Sequence, residues 1–177
     1  IQVENVSLFL EGALRPTHFR GVCTVVAILL NLAGADNAYF GRKDAQQFAV
    51  ISRMVKDLHI PTKLTACPLI REEDGLALSS RNVFLSPEER EEALTLYNSL
   101  KLAEKLISEG SRDVSDIKLA MEQQFLDKKN SVLQYIAFAS AETFEQQTTL
   151  TDGEQIYILI ACKVGKTRLI DNFLLTV

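Results

Sequence analysis

The sequence predicts an α/β protein in two parts: the second half of a parallel-sheet domain, followed by a smaller α+β domain with helices and an antiparallel sheet. Three observations carry that prediction. Two short apolar stretches, "NAYFG" and "TKLTACPLI", flank a helical stretch over residues 43–58, and strand, helix, strand implies a parallel crossover. "SPEE" at 86–89 opens a long helical pattern. Strand-like stretches then close the chain.

In order, "IQV" at the start is a short strand candidate. "THFRGVCTVVAILLNLAGA" is a helix, with Phe19, Val22, Val26, Leu29 and Leu30 near one face, and Gly34 ends it. Its apolar run predicts a buried helix. "NAYFG" is a short buried strand. Phe48, Ile51, Val55 and Leu58 fall at core spacing along the next helix, and Asp44 stands where it can cap that helix. The following strand stops around Pro68. A two-strand parallel sheet leaves faces and edges unburied, so this unit, 1–70, calls for neighbours.

The boundary falls near Ile70, and residues 71–177 form the second domain. Ser86 and Glu89 make a capping box with Pro87 at the first helical position, so a helix runs from about 87 to 109 and stops at Gly110. Ile117, Met121 and Phe125 mark another helix. "SVLQYIAFASAETF", "EQIYILIACKV" and "TRLIDNFLLTV" are strands of a small antiparallel sheet.

Composition excludes several functions. With 177 residues, 47% hydrophobic and 24% charged, the chain can bury a sizeable core. A net charge of −4 gives no electrostatic footprint for nucleic acid, and no basic block suggests a membrane anchor. The longest apolar stretch is broken by Thr24 and Asn31 and is too short to span a bilayer. The three cysteines, Cys23, Cys67 and Cys162, are widely separated without metal-ligand spacing, which predicts buried thiols in a reducing cytoplasm. The opening "IQVENV" has neither an initiator Met nor a signal pattern and resembles mid-domain sequence, so an upstream segment is expected.

Two polar stretches carry chemistry. "FGRKDAQQ" places Gly41, Arg42, Lys43 and Asp44 between a strand and a helix, while "DGLALSSRN" sets paired hydroxyls and Arg81 after the next strand. Ligands of open α/β sheets bind outside the carboxyl ends of strands, so both loops are expected to border one crevice. A helix N-terminus and Lys43 on one side, with Ser79, Ser80 and Arg81 on the other, suit a nucleoside triphosphate. Asp44 and the Gly41 backbone suit ribose hydroxyls better than phosphate.

"RPTHFRGV", "FGRKDAQQ", "DGLALSSRN" and "RLIDN", in this order, resemble the pantothenate synthetase (pantoate-beta-alanine ligase) family across essentially the whole chain. The resemblance implies a Rossmann-like amino-terminal domain, a smaller carboxyl-terminal domain, a homodimer formed through the first, and use of pantoate, beta-alanine, ATP and magnesium. It implies ATP contacts at Gly41, Arg42, Lys43, Asp44, Ile70, Leu78, Ser79, Ser80 and Arg81. Among these, Lys43, Ser79, Ser80 and Arg81 act on the phosphates, Gly41 and Asp44 hold ribose, and the Ile70 backbone meets adenine. Residues 78–81 resemble the KMSKS loop of class I aminoacyl-tRNA synthetases. Gln47 matches the glutamine that hydrogen-bonds pantoate. Arg42 stands where the family usually has glutamate and Ala45 where it has an aromatic residue.

The reaction so implied joins pantoate to beta-alanine through a pantoyl-adenylate, releasing pyrophosphate and then AMP. The family's HIGH-type motif is expected upstream of Ile1. Neither His18 nor His59 sits in a matching context: His59 is expected at the surface near a helix end, and His18 either beside pantoate or in a structural role. No metal ligand is assigned. The chain alone is therefore expected to hold an incomplete active site, and a non-catalytic nucleotide-binding or assembly fragment is the alternative reading.

Overall fold

The structure, a computed structural model, describes all 177 residues and divides into two compact units, Ile1–Leu69 and Ile70–Val177. No helix is long and apolar enough to cross a membrane.

The first unit contains α1 (Glu11–Leu14), α2 (His18–Ala33), β1 (Asn37–Gly41), a 3-10 turn (Arg42–Asp44), α3 (Ala45–Asp57) and β2 (Lys63–Cys67). β1 and β2 pair in parallel, from Asn37 opposite Lys63 to Gly41 opposite Cys67. Their carboxyl ends therefore lie at one edge of the sheet. α2 stops where expected, with Gly34 in the left-handed conformation and its N–H bonded to the Leu30 carbonyl.

Several local expectations are corrected. "IQV" is not a strand, because no neighbouring strand pairs with it; Val3 is instead buried against α2 and α3. α2 is buried along one face only, through Phe19, Cys23, Ala27 and Leu30. Val22 and Val26 are half-buried, while Val25, Ile28, Leu29 and Leu32 are exposed. A run that is apolar all round cannot reveal which side packs. α3 buries Val50, Ile51 and Met54, leaving Phe48 and Val55 only partly covered and Leu58 exposed. Asp44 occupies the N-cap position with no side-chain capping bond, because the preceding 3-10 turn leads the chain into the helix. The three thiols are free, but Cys67 is half-buried at the end of β2, unlike the buried Cys23 and Cys162.

The second unit begins with a turn region and a 3-10 turn (Asn82–Phe84), followed by α4 (Pro87–Ser108), α5 (Val114–Gln123), β3 (Ser131–Ser140), β4 (Gln155–Val164) and β5 (Thr167–Thr176). The Ser86 hydroxyl accepts from the Glu89 N–H at 3.2 Å and the Glu89 carboxylate accepts from the Ser86 N–H at 2.9 Å, completing the expected capping box. Asp113 caps α5 by accepting from the Ser115 N–H at 2.7 Å. The strands form a three-stranded antiparallel sheet in the order β3-β4-β5. Leu96 and Leu100 of α4 and Ile117 and Met121 of α5 pack on Phe138, Ile158 and Ile160 to form the core of this unit. Phe125 lies just past the end of α5 and is buried there.

Candidate functional site

In the first unit, Gly41 closes β1 and the 3-10 turn carries Arg42, Lys43 and Asp44 to the start of α3. The Lys43 ammonium lies 3.9 Å from the Asp44 carboxylate. Gln47 follows on the first turn of α3, half-buried, with no hydrogen bond from its amide to the rest of the chain. The adjacent Gln46 does different work. Its Oε1 accepts from the Glu11 N–H at 3.0 Å, and its Nε2 donates to the carbonyls of Val6 at 2.9 Å and Phe9 at 2.7 Å. One buried amide thus holds the 6–11 loop against α3. That loop turns so tightly that a Cβ at Gly12 would stand 1.8 Å from the Ser7 carbonyl oxygen.

His18 stands at the start of α2, half-buried, with its ring 5.1 Å from that of Phe19. Burial, reinforced by Arg15, pushes its imidazole below the ordinary value, while Glu11 and Asp44 pull the other way. His18 is therefore held towards neutrality within electrostatic reach of the polar turn. His59 is exposed just past the end of α3, as expected. It borders an open depression of about 470 Å³ with Phe48, Lys56 and Leu64. That depression includes Thr62, just ahead of β2, and so lies toward the amino end of the strand, opposite to Gly41 and Cys67.

In the second unit, the predicted residues Ile70, Leu78, Ser79, Ser80 and Arg81 stand on one small folded segment. Arg71 and Ala77 form an antiparallel bridge, flanked by Glu72 N–H to Leu76 carbonyl at 2.8 Å and Leu78 N–H to Ile70 carbonyl at 3.0 Å. The Ile70 N–H takes no part in these bonds. Gly75 makes the turn at a φ of +98°, where a Cβ would stand 2.3 Å from the Tyr97 ring. Beyond the bridge, the Ser79 hydroxyl accepts from the Arg81 N–H at 3.2 Å. Ser80 and Arg81 are exposed, and the Arg81 guanidinium makes one long contact, 3.4 Å, to the Arg168 carbonyl.

The residues that hold this segment in shape were not visible in the sequence. Arg71 donates to both Asp171 carboxylate oxygens, at 2.7 and 3.0 Å, and to the carbonyls of Gly75 at 2.9 Å and Asn172 at 3.2 Å. Its guanidinium stacks 4.7 Å from the Tyr97 ring centroid and 5.0 Å from that of Phe173. Glu72 accepts from Asn82 and from Arg90, and Arg90 also bonds Asp74. Burial opposes ionisation of Asp74, but the Leu76 N–H and Arg90 outweigh it and hold the carboxyl below its ordinary value. In the sequence, only its place in "RLIDN" marks Asp171.

A sequence profile described as pantoate-beta-alanine ligase matches residues 1–174. The chain belongs to the pantoate-beta-alanine ligase family. It is 49% identical over 172 residues to a pantothenate synthetase of Caldicellulosiruptor bescii, covering 97% of this chain and 60% of that one. The crystal structure of a pantothenate synthetase from Thermus thermophilus matches with a TM-score of 0.91 at 41% identity, over 98% of this chain and 62% of that one. A pantoate-beta-alanine ligase from Francisella tularensis, complexed with beta-gamma ATP and beta-alanine, matches with a TM-score of 0.70 at 34% identity, over 98% of this chain and 57% of that one. The chain spans about 60% of the length of the curated relatives it matches. The parallel pair and the separate antiparallel sheet with its helices agree with the ligase-family fold expected from the sequence.

Proposed function

We propose that the chain carries the ATP-phosphate and pantoate contacts of a ligase that joins pantoate to beta-alanine, releasing AMP and pyrophosphate. The family match over residues 1–174 carries this reading. The beta-gamma ATP and beta-alanine of the Francisella relative's complex support the substrate classes.

A pantoate carboxylate oxygen attacks the α-phosphorus of ATP, the bond to the bridging oxygen breaks, and pyrophosphate leaves. The amine of beta-alanine then attacks the acyl carbon, gives up a proton and displaces AMP. Neither step needs a nucleophile from the protein, because the pantoate carboxylate is already ionised at neutral pH. The protein's task is alignment and stabilisation of charge spreading over phosphate oxygens.

Lys43, Ser79, Ser80 and Arg81 take that task. Gly41 and Asp44 hold the ribose, Arg42 contributes through the same turn, the Ile70 backbone meets adenine beside Leu78, and Gln47 bonds pantoate. The unengaged Gln47 amide, the Ile70 N–H left out of the bridge and the exposed Ser80 and Arg81 support these roles. Magnesium accompanies the ATP in this reading, with no residue of this chain assigned to it. The ion belongs with the nucleotide phosphates and water in this reading, and no step is assigned to it. The same reading makes the working protein a cytoplasmic homodimer.

Omitting substrates one at a time tests the proposal on the protein translated from its entire natural reading frame. AMP release that requires both pantoate and beta-alanine supports it. ATP binding with no AMP release under any combination would leave a non-catalytic nucleotide-binding protein instead.

A further inference from the structure

We propose that Arg71 is a positioning residue that fixes the spacing between the adenine-facing and phosphate-facing parts of the ATP site. The inference rests on the ligase reading above. Ile70 and Leu78 are bonded to each other at 3.0 Å, so the residue assigned to adenine and the first residue of the phosphate loop move as one piece. That piece has one central anchor. The Arg71 side chain bonds Gly75 at the turn and, on its other side, Asp171 and the Asn172 carbonyl of β5. Tyr97 of α4 and Phe173 of β5 enclose its guanidinium. Both terminal nitrogens are engaged within the protein, which separates Arg71 from the exposed Arg81 and leaves it to act on nucleotide through the segment it holds.

Arg71→Lys keeps the charge while removing the planar fork and the ring stacking, so it loosens the anchor without leaving Asp171 wholly unpaired. Asp171→Asn keeps the shape and removes the ion pair. Both variants are made in the protein translated from its entire natural reading frame, and amide hydrogen exchange is read residue by residue. The Leu78 amide is expected to exchange about tenfold faster, the size of losing one bond to a charged group. Amides in β4 and the middle of α4 stay protected. In pantoate-dependent exchange of pyrophosphate into ATP, kcat falls on the order of 10²-fold, as a small misplacement permits, with KM for pantoate unchanged.

Unchanged exchange at Leu78 overturns the anchor. A loosened Leu78 with normal kcat overturns the positioning role alone. Loss of protection across the whole unit shows that Arg71 merely stabilises the fold, and overturns it too. A wild-type protein with no pyrophosphate exchange overturns the ligase reading itself, an outcome distinct from the other three.

Discussion

Arg71 and Asp171 stand 100 positions apart in the chain and meet through a two-pronged ion pair of 2.7 and 3.0 Å. The Asp171 side chain is only 2% exposed and that of Arg71 19%. The pair joins the start of the second unit to its last strand. Removing one partner of a buried ion pair takes away the opposite charge from the other, at a cost of about 3–5 kcal/mol. Arg71→Ala removes the counter-ion of the more deeply buried group, which keeps neutral contacts such as the Asn172 N–H at 2.7 Å, so it is expected to destabilise more than Asp171→Ala. Urea unfolding followed by circular dichroism measures both, and equal or reversed costs contradict the account.

The neighbouring glutamines separate by function. Gln46→Ala removes the side-chain acceptor of the Glu11 N–H and one donor each to the carbonyls of Val6 and Phe9, the last still accepting from the Gly12 N–H at 3.0 Å, which should cost roughly 2 kcal/mol. Gln47→Ala should change stability by less than about 0.5 kcal/mol and reduce pantoate use. The check pairs urea midpoints with pantoate saturation curves; a reversed pattern shows that the roles are exchanged.

Much of the fold was legible because its signals are local. The Ser86–Glu89 capping box, Gly34 and Gly110 fix helix ends within a few residues, and the apolar runs of the closing strands need no distant information. What failed depended on the rest of the chain. "IQV" has strand-like residues but no partner strand. The apolar run of α2 hides which stripe packs, and a turn of the helix decides that Gln46 is buried while Gln47 is not. The polar loops were visible as glycine, hydroxyl and cation patterns. The support of the second loop through Arg71, Arg90 and Asp171 was not, because contacts across 16 to 100 residues leave no local mark.

Lys43 makes a sharper test of chemistry. Its side chain is partly exposed and near Asp44 rather than in a core, so Lys43→Ala should keep the fold. Loss of one well-placed charged contact should cost ~3 kcal/mol in the transition state, roughly 10²-fold in rate. Unchanged pyrophosphate exchange by the folded variant removes Lys43 from the site.

His18 gives a pH dependence. Its folded-state value lies below the ordinary 6.5, first through burial and then through Arg15. The unfolded chain therefore binds this proton more readily, so the contribution of His18 is present above pH 6.5 and is lost as pH falls through 6.5 towards the lower folded value. His18→Gln should flatten the fall in urea midpoint across that window. An unchanged slope in the variant shows that another group controls it.

The thiols should react in sequence. Burial pushes Cys162 up to about 11, whereas Cys67 is half-buried at a strand end. An aromatic disulfide reagent should label Cys67 first in the native protein, with Cys162 reacting only on unfolding. Mass spectrometry of timed samples reads the order, and early labelling of Cys162 contradicts the packing of β4.

Pantoate-dependent exchange of labelled pyrophosphate into ATP is the decisive experiment, because it isolates adenylate formation from the later attack by beta-alanine. Exchange is expected from the protein translated from its entire natural reading frame when pantoate is present, and none when it is withheld. Exchange that ignores pantoate, or its absence from folded protein that binds ATP, contradicts the assignment of this chain to pantoate activation.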